Sequence, residues 1–221
     1  SQIDENTAAV LLETIQGGAG FVLPLDNYLK KVKKRCEEMG ALLLLDEIQP
    51  GFGRTGKMFG FEHFGVAPDI VVMGKALGGG LPIGAFSASK KLMEKLEDQP
   101  KLGHITTFGG NPVIATAALT TINEILSAKL IQQIDQKEKI FRENLKHPLI
   151  KKISGKGLML APIFEQAEIP DFLVHHCIKK GLLLFWLLWE KNAVRISPPL
   201  NITEEEILKG CQIIRETLDE I

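Results

Sequence analysis

The chain has 221 residues, 45% hydrophobic and 24% charged, which is the balance of an ordinary folded domain. Its 26 basic and 27 acidic side chains leave a net charge of -1, without the electrostatic footprint of a nucleic-acid or anionic-membrane binder. No run approaches the ~20 apolar residues of a membrane span, and the greasiest stretch, Leu182 to Trp189, is far too short.

Cys36, Cys177 and Cys211 are odd in number and far apart, with neither metal-ligand spacing nor a disulfide framework. They read as buried or incidental thiols of a reducing, cytoplasmic compartment, and no metal site is expected. The opening Ser1-Gln2-Ile3-Asp4 is neither a signal peptide nor a natural initiator, so the chain reads as a piece of something longer.

In chain order, Ala8 to Leu12 is a short apolar run that fits a buried strand. A loop with Gly17, Gly18 and Gly20 follows. Asp26 is the expected N-cap of a helix reaching Met39, and Gly40 its C-cap. The run Ala41 to Leu45 is the next strand and ends in Asp46-Glu47. Strand, helix and strand make a βαβ unit, the building block of parallel sheets covered on both faces. Asp69 to Met73 is a third buried strand and Ile83 to Ser87 a fourth, followed by a helix over Lys90 to Leu96. Asn111-Pro112 opens a long helix with proline in its first turn. It runs toward Leu145 with a break near Ser127-Ala128.

Beyond His147-Pro148 the texture changes. Strands are expected over Gly157 to Ile163, Leu182 to Phe185 and Ala193 to Ile196, with helices at Asp171 to Lys180 and Thr203 to Ile221. Thr203 and Glu206 form a capping box. The expected division is residues 1–126, half of a large domain plus a connecting helix, and 127–221, a small α/β domain.

Four places carry chemistry. Asp46 stands at the carboxyl end of a buried strand, the edge where open α/β sheets bind ligands. A carboxylate there is costly unless a cation meets it, and the alternative is that Asp46 caps the next turn. Lys75 follows the third strand among Gly74, Gly78, Gly79 and Gly80. Desolvation there turns an amine toward nucleophilic use, and glycines let a planar ring and its phosphate come close; a solvated lysine is the alternative. A phosphate-binding P-loop is excluded, because Ala76 follows the lysine and Asp69 stands where a glycine is needed. Thr106 and Thr107, with Phe108-Gly109-Gly110-Asn111-Pro112, form a hydroxyl and glycine loop that suits either a phosphate or helix capping. Arg195 lies in an apolar strand and calls for a carboxylate, from an internal salt bridge or from a ligand.

Together these residues resemble the class III aminotransferases, the acetylornithine, ornithine and 4-aminobutyrate group. Four segments in register carry the resemblance: Glu13 to Gly17; Leu45 to Gln49 with Gly53-Arg54-Thr55-Gly56; Gly74 to Leu77; and Thr107 to Pro112. The resemblance implies an α/β fold of the pyridoxal-phosphate (PLP) transferase type, with part of a large, mainly parallel-sheet cofactor domain followed by a small C-terminal α/β domain. It implies an internal aldimine at Lys75, whose displaced amine then shuttles the proton. Asp46 would pair with the ring nitrogen, Ile48 pack on a ring face and Gln49 bond the ring's 3-oxygen. Thr106 and Thr107 would hold phosphate, Thr107 that of a partner subunit, which implies a homodimer with shared active sites. Arg195 would hold a substrate carboxylate. The implied reaction passes an amino group from an acetylornithine- or ornithine-like donor to 2-oxoglutarate. Alternatives are an aminomutase, diamine or 4-aminobutyrate reaction, or a truncated or degenerate domain without catalysis.

The sequence departs from that pattern in three respects. Gly18 stands where many relatives carry a Glu that pairs with the carboxylate-binding Arg. Trp186 and Trp189 precede Arg195, either lining an apolar substrate slot or, the preferred reading, filling core. The earlier half of the relatives, with its Ser-Gly-Thr/Ala-Glu-Ala phosphate loop, is absent from these residues, so the chain alone is expected to bind PLP poorly.

Overall fold

The computed structural model describes residues 2–98, 101 and 104–221. They form two compact units. The first comprises the chain through Thr14, Pro24–Phe52 and Phe59–Ala128; the second Ile15–Leu23, Gly53–Met58 and Lys129–Ile221. The chain therefore enters the second unit twice before Lys129, and hydropathy alone signals neither excursion.

The first unit is built on four strands, β1 (Ala9–Glu13), β2 (Leu42–Asp46), β3 (Ile70–Gly74) and β4 (Gly84–Ala88), in that spatial order. β1, β2 and β3 are parallel, while β4 runs antiparallel to β3. Each strand ends one residue later than the apolar runs indicate, because Glu13, Asp46, Gly74 and Ala88 still make ladder pairs. The crossover helix α1 (Tyr28–Met39) presents Leu29, Val32 and Cys36 on one stripe, at spacings of three and four residues. That stripe belongs to one core cluster with the fully buried Leu43 and Leu45 of β2. Burying a leucine side chain of this kind contributes about 2 kcal/mol.

Asn27 rather than Asp26 stands at the N-cap of α1. It adopts φ +63°, which asparagine tolerates better than most residues, and its side chain makes no capping bond. At the other end Gly40 is left-handed at φ +71° as expected, and Ala41 N–H donates to Cys36 O at 2.9 Å, so α1 closes with a Schellman turn.

After β4 the expected single helix is two short ones, α2 (Lys90–Met93) and α3 (Lys95–Asp98). The expected cap at Asn111 is present: its Oδ1 accepts from Val113 N and Ile114 N at the start of α4 (Pro112–Ser127). α4 stops at Ala128, and Lys129 turns left-handed at φ +52°.

The second unit contains α5 (Ile134–Asn144), the antiparallel pair β5 (Lys152–Lys156) and β6 (Met159–Ile163), α6 (Glu168–Cys177), the short antiparallel pair β7 (Phe185–Trp186) and β8 (Val194–Arg195), and α7 (Glu204–Leu218). Isolated bridges Leu160↔Ile196 and Ile163↔Ala193 lay β8 beside β6. Several expected boundaries move, β8 and α7 being shorter than expected. Gly157, at φ +63°, is the turn before β6 rather than its start. The run Leu182 to Phe185 yields a ladder only at Phe185 and Trp186. α6 begins at Glu168 and gives way to a 3-10 turn over Ile178–Lys180. The core joins one face each of α5, α6 and α7 to Leu158, Leu160 and Val194.

All three cysteines are buried and free, and burial raises their thiol pKa, to about 12 at Cys211. Among the described residues no single helix is long and apolar enough to cross a membrane.

Candidate active site

β2 and β3 are neighbours in register, with Asp46 opposite Val72. Parallel pairing puts their carboxyl ends at one edge of the sheet, so Asp46 and Lys75 both emerge there. Ile48 lies between them in the chain's path: a Cβ built on Gly74 would sit 3.5 Å from Ile48 Cγ2 and 3.1 Å from Ile83 O. Gln49 follows, half-buried.

Asp46 does cap the following turn. Its Oδ1 accepts from Ile48 N at 2.8 Å, while its other oxygen makes no hydrogen bond among the described residues. Capping and cation binding therefore use different oxygens of one carboxylate, and the two alternatives are compatible.

Lys75 is exposed rather than desolvated. It opens a 3-10 turn at φ +42°, a left-handed conformation that costs a non-glycine residue about 1–2 kcal/mol. The glycines after it are used chiefly by the chain itself. A Cβ on Gly79 would fall 2.1 Å from Thr121 Oγ1 of α4, and one on Gly78 would fall 3.0 Å from Ile83 Cγ2. They allow α4 and the Ile83 segment to approach, where close approach of a ring and its phosphate was expected.

Glu47 is a residue that the sequence reading passed over. It is fully buried and accepts three hydrogen bonds: Thr14 Oγ1 at 2.6 Å, Gly60 N at 2.7 Å and Phe61 N at 2.9 Å. Its own N–H donates to Val72 O at 2.8 Å. One side chain thus ties the residue after β1, the end of β2 and the segment at Gly60 together around Asp46. Burial pushes its carboxyl pKa up against the opposing effect of these bonds. The available signal was the Asp46-Glu47 pair itself, since a second acid at a buried strand end needs donors of its own.

Thr106 and Thr107 are exposed on the loop before α4. A Cβ on Gly109 would meet Thr106 Oγ1 at 2.6 Å, so this glycine is required for the hydroxyl to fold back. The loop borders a cavity of about 420 Å³ whose lining includes Pro82, Gly84, Thr106, Gly109 and Asn111. Thr107 is not part of that lining.

Arg195 belongs to the second unit, on β8 opposite Phe185. Of the two alternatives, the internal salt bridge is not formed among the described residues. Its Nε is buried without a hydrogen-bond partner, and its guanidinium carbon lies 5.9 Å from the centre of the Phe185 ring. A buried orphan donor costs about 1–3 kcal/mol, which a ligand acceptor would recover. The backbone after Arg195 is held by two cations, the half-buried Arg54 and the buried Lys137. Arg54 donates to Pro198 O and Leu158 O, and Lys137 to Leu200 O at 2.7 Å. Burial pushes Arg54 down to about 10 and lowers Lys137 as well.

The two tryptophans differ. Trp186 is half-buried, and its Nε1 donates to Asp171 Oδ1 at 2.6 Å. Trp189 is 83% exposed, contrary to the core reading, and lies in the loop between β7 and β8, beyond the paired residues.

Comparison with known proteins shows the family and the fold. The family model described as aminotransferase class-III matches residues 1–218. The acetylornithine aminotransferase of Caldanaerobacter subterraneus is 41% identical over 99% of this chain and 55% of its own length. The putrescine aminotransferase of Pectobacterium atrosepticum is also 41% identical, over 98% and 48%. Among solved structures, a Bacillus anthracis aminotransferase superposes with a TM-score of 0.89 at 31% identity, covering 97% of this chain and 52% of its own. The ornithine aminotransferase of Toxoplasma gondii, whose active site partly holds PLP, gives 0.89 at 32%, covering 99% and 52%. The chain spans about half the length of the curated relatives that it matches.

Proposed function

The chain belongs to the class-III aminotransferases, and from that premise we propose that it carries the lysine-bearing half of a PLP-dependent ω-amino acid aminotransferase. One observation supports this most: Asp46 and Lys75 emerge at the carboxyl ends of adjacent parallel strands, with Ile48 against Gly74 between them. The donor set suits the cofactor. An acid with an oxygen to spare, an apolar shelf and an exposed amine match a protonated pyridine nitrogen, a ring face and an aldehyde carbon.

Bound PLP supplies an electron sink for the charge left on the substrate carbon when its proton departs. Lys75 would hold the cofactor, and its amine would take that proton from the substrate carbon and return it. Asp46, kept in register by Glu47, would hold the ring nitrogen protonated, which is the state that makes the cofactor an electron sink. Gln49 would bond the ring's 3-oxygen, Thr106 and Thr107 would serve phosphate, Thr107 in the partner of a homodimer, and Arg195, whose Nε is unpartnered, would take a substrate carboxylate. The donor is an acetylornithine- or ornithine-like ω-amino acid and the acceptor 2-oxoglutarate. Equal identity to a putrescine aminotransferase favours a diamine donor as the second reading.

The test is a donor screen on the protein in its longest natural form, loaded with PLP. Acetylornithine or ornithine is expected to bleach the cofactor band, and 2-oxoglutarate to restore it. Bleaching by putrescine alone would select the second reading. A band that no amine changes, in a protein that holds PLP, would overturn both.

A further inference from the structure

The backbone of Arg195 is fixed, but no acid holds its head. It stands opposite Phe185 in the β7–β8 pair, and the next residue, Ile196, exchanges both backbone bonds with Leu160, at 2.8 and 3.0 Å. Beyond that root the side chain is a long rotatable stem, of the kind that a carboxylate ordinarily holds in place. No ion pair to Arg195 forms among the described residues, and its buried Nε has no partner.

What lies over the guanidinium is an aromatic ring. The Phe185 centroid is 5.9 Å from Arg195 Cζ, within cation–π range. Residues directly opposite in an antiparallel pair share a face, so the register itself brings the two together. A ring and an acid hold a guanidinium differently. An acid occupies N–H groups in the guanidinium plane, and an incoming carboxylate has to displace it. A ring takes the face and leaves those donors free.

The ring needs a support of its own, because β7 and β8 pair over two residues each, too few to fix a hairpin unaided. The support comes through the next residue. The Trp186 ring meets Phe185 edge-on at 5.5 Å, and its Nε1 donates to Asp171 Oδ1 at 2.6 Å. It also meets the His175 ring edge-on at 5.6 Å. Asp171 and His175 are one turn apart on α6, whose Leu173, Val174 and Cys177 are part of the core. The brace from α6 to the guanidinium lies wholly within the second unit.

We infer that Phe185 is a positioning residue: its ring, braced through Trp186 and Asp171, presets the Arg195 guanidinium and keeps its donors open to a carboxylate. This rests on Arg195 as the carboxylate anchor of the proposed transamination. A preset arginine loses less rotamer freedom when its ligand arrives, so the effect belongs to binding and appears in KM more than in kcat.

The experiment uses the PLP-loaded protein in its longest natural form and two readouts. One is KM and kcat for 2-oxoglutarate; the other is the dissociation constant of glutarate, an unreactive dicarboxylate, by calorimetry. Phe185→Leu keeps apolar bulk but removes the aromatic face, and is expected to raise both KM and the glutarate constant about three- to tenfold. Phe185→Tyr keeps the face and is expected to retain the wild-type values. Trp186→Phe lacks the N–H that Asp171 accepts and is expected to fall between them. In an Arg195→Ala background, Phe185→Leu is expected to add nothing, because the ring acts only through the arginine. Glutarate binding unmoved by Phe185→Leu, or weakened equally in the Arg195→Ala background, overturns the inference while leaving transamination standing. Glutarate binding that Arg195→Ala does not weaken, or a PLP-loaded wild type that transaminates no donor, overturns the underlying reading, and the inference with it.

Discussion

Glu47→Gln tests the framework that holds Asp46. In the wild type Oε1 accepts from Thr14 Oγ1 and Phe61 N, and Oε2 accepts from Gly60 N, all within a fully buried site. An amide has one acceptor oxygen, and its NH2 must take the other place. If the NH2 replaces Oε2, it faces the Gly60 N–H; if it replaces Oε1, it faces the Phe61 N–H, and only the Thr14 hydroxyl can turn to accept from it. Either orientation leaves one buried backbone donor unpaired, a cost of about 1–3 kcal/mol. Urea unfolding at neutral pH should show that loss as a lower midpoint with an unchanged slope. The folded-state pKa of Glu47 is raised, so its contribution is full below the ordinary carboxylate range and is lost as pH rises through the raised value. The gap between wild type and variant should therefore narrow toward alkaline pH. A midpoint unmoved at every pH would refute this view of Glu47.

Three further outcomes follow from single contacts. Asp69 accepts from Leu43 N and holds Lys33 at 2.8 Å; burial pulls its pKa upward, but these bonds outweigh it and lower the pKa. Its contribution is present above the ordinary carboxylate range and lost as pH falls through the lowered value, so Asp69→Asn should cost about 1.5–3 kcal/mol at pH 7 and flatten the acid limb of the stability curve. Gly155→Ala places a Cβ 1.9 Å from Met159 O at φ +95°, and unfolding should show a loss of more than about 2 kcal/mol or no folded second unit. Thr203→Ala removes a capping box in which Thr203 Oγ1 accepts from Glu206 N at 3.2 Å, which denaturation should register as about 1 kcal/mol.

The buried elements were legible because their apolar period is simple. The leucines of β2, the stripe on α1, the Schellman glycine and the Thr203 cap all read directly from residue spacing. β5 was missed because Lys152 and Lys156 flank it, and a half-exposed ladder strand need not be apolar. The antiparallel direction of β4 was not readable, since a short strand carries no mark of polarity beyond the loop that precedes it. At the site, motif order located Asp46 and Lys75, but not what surrounds them. The three donors on Glu47 and the Trp189 indole on Gly18 are contacts across sequence separations of 13 residues or more, and the orphan Nε of Arg195 is the lack of one. No local pattern encodes them. The Gly78–Gly79 run was legible as room for a close approach, but not that Thr121 and Ile83 are what approach it.

The most direct measurement on the central claim is borohydride reduction of the PLP-loaded protein, followed by peptide mass analysis. The account predicts a single pyridoxyl adduct on Lys75, absent in Lys75→Ala. An adduct on another lysine, such as the buried Lys137, or no adduct on a protein that retains the cofactor, would contradict it.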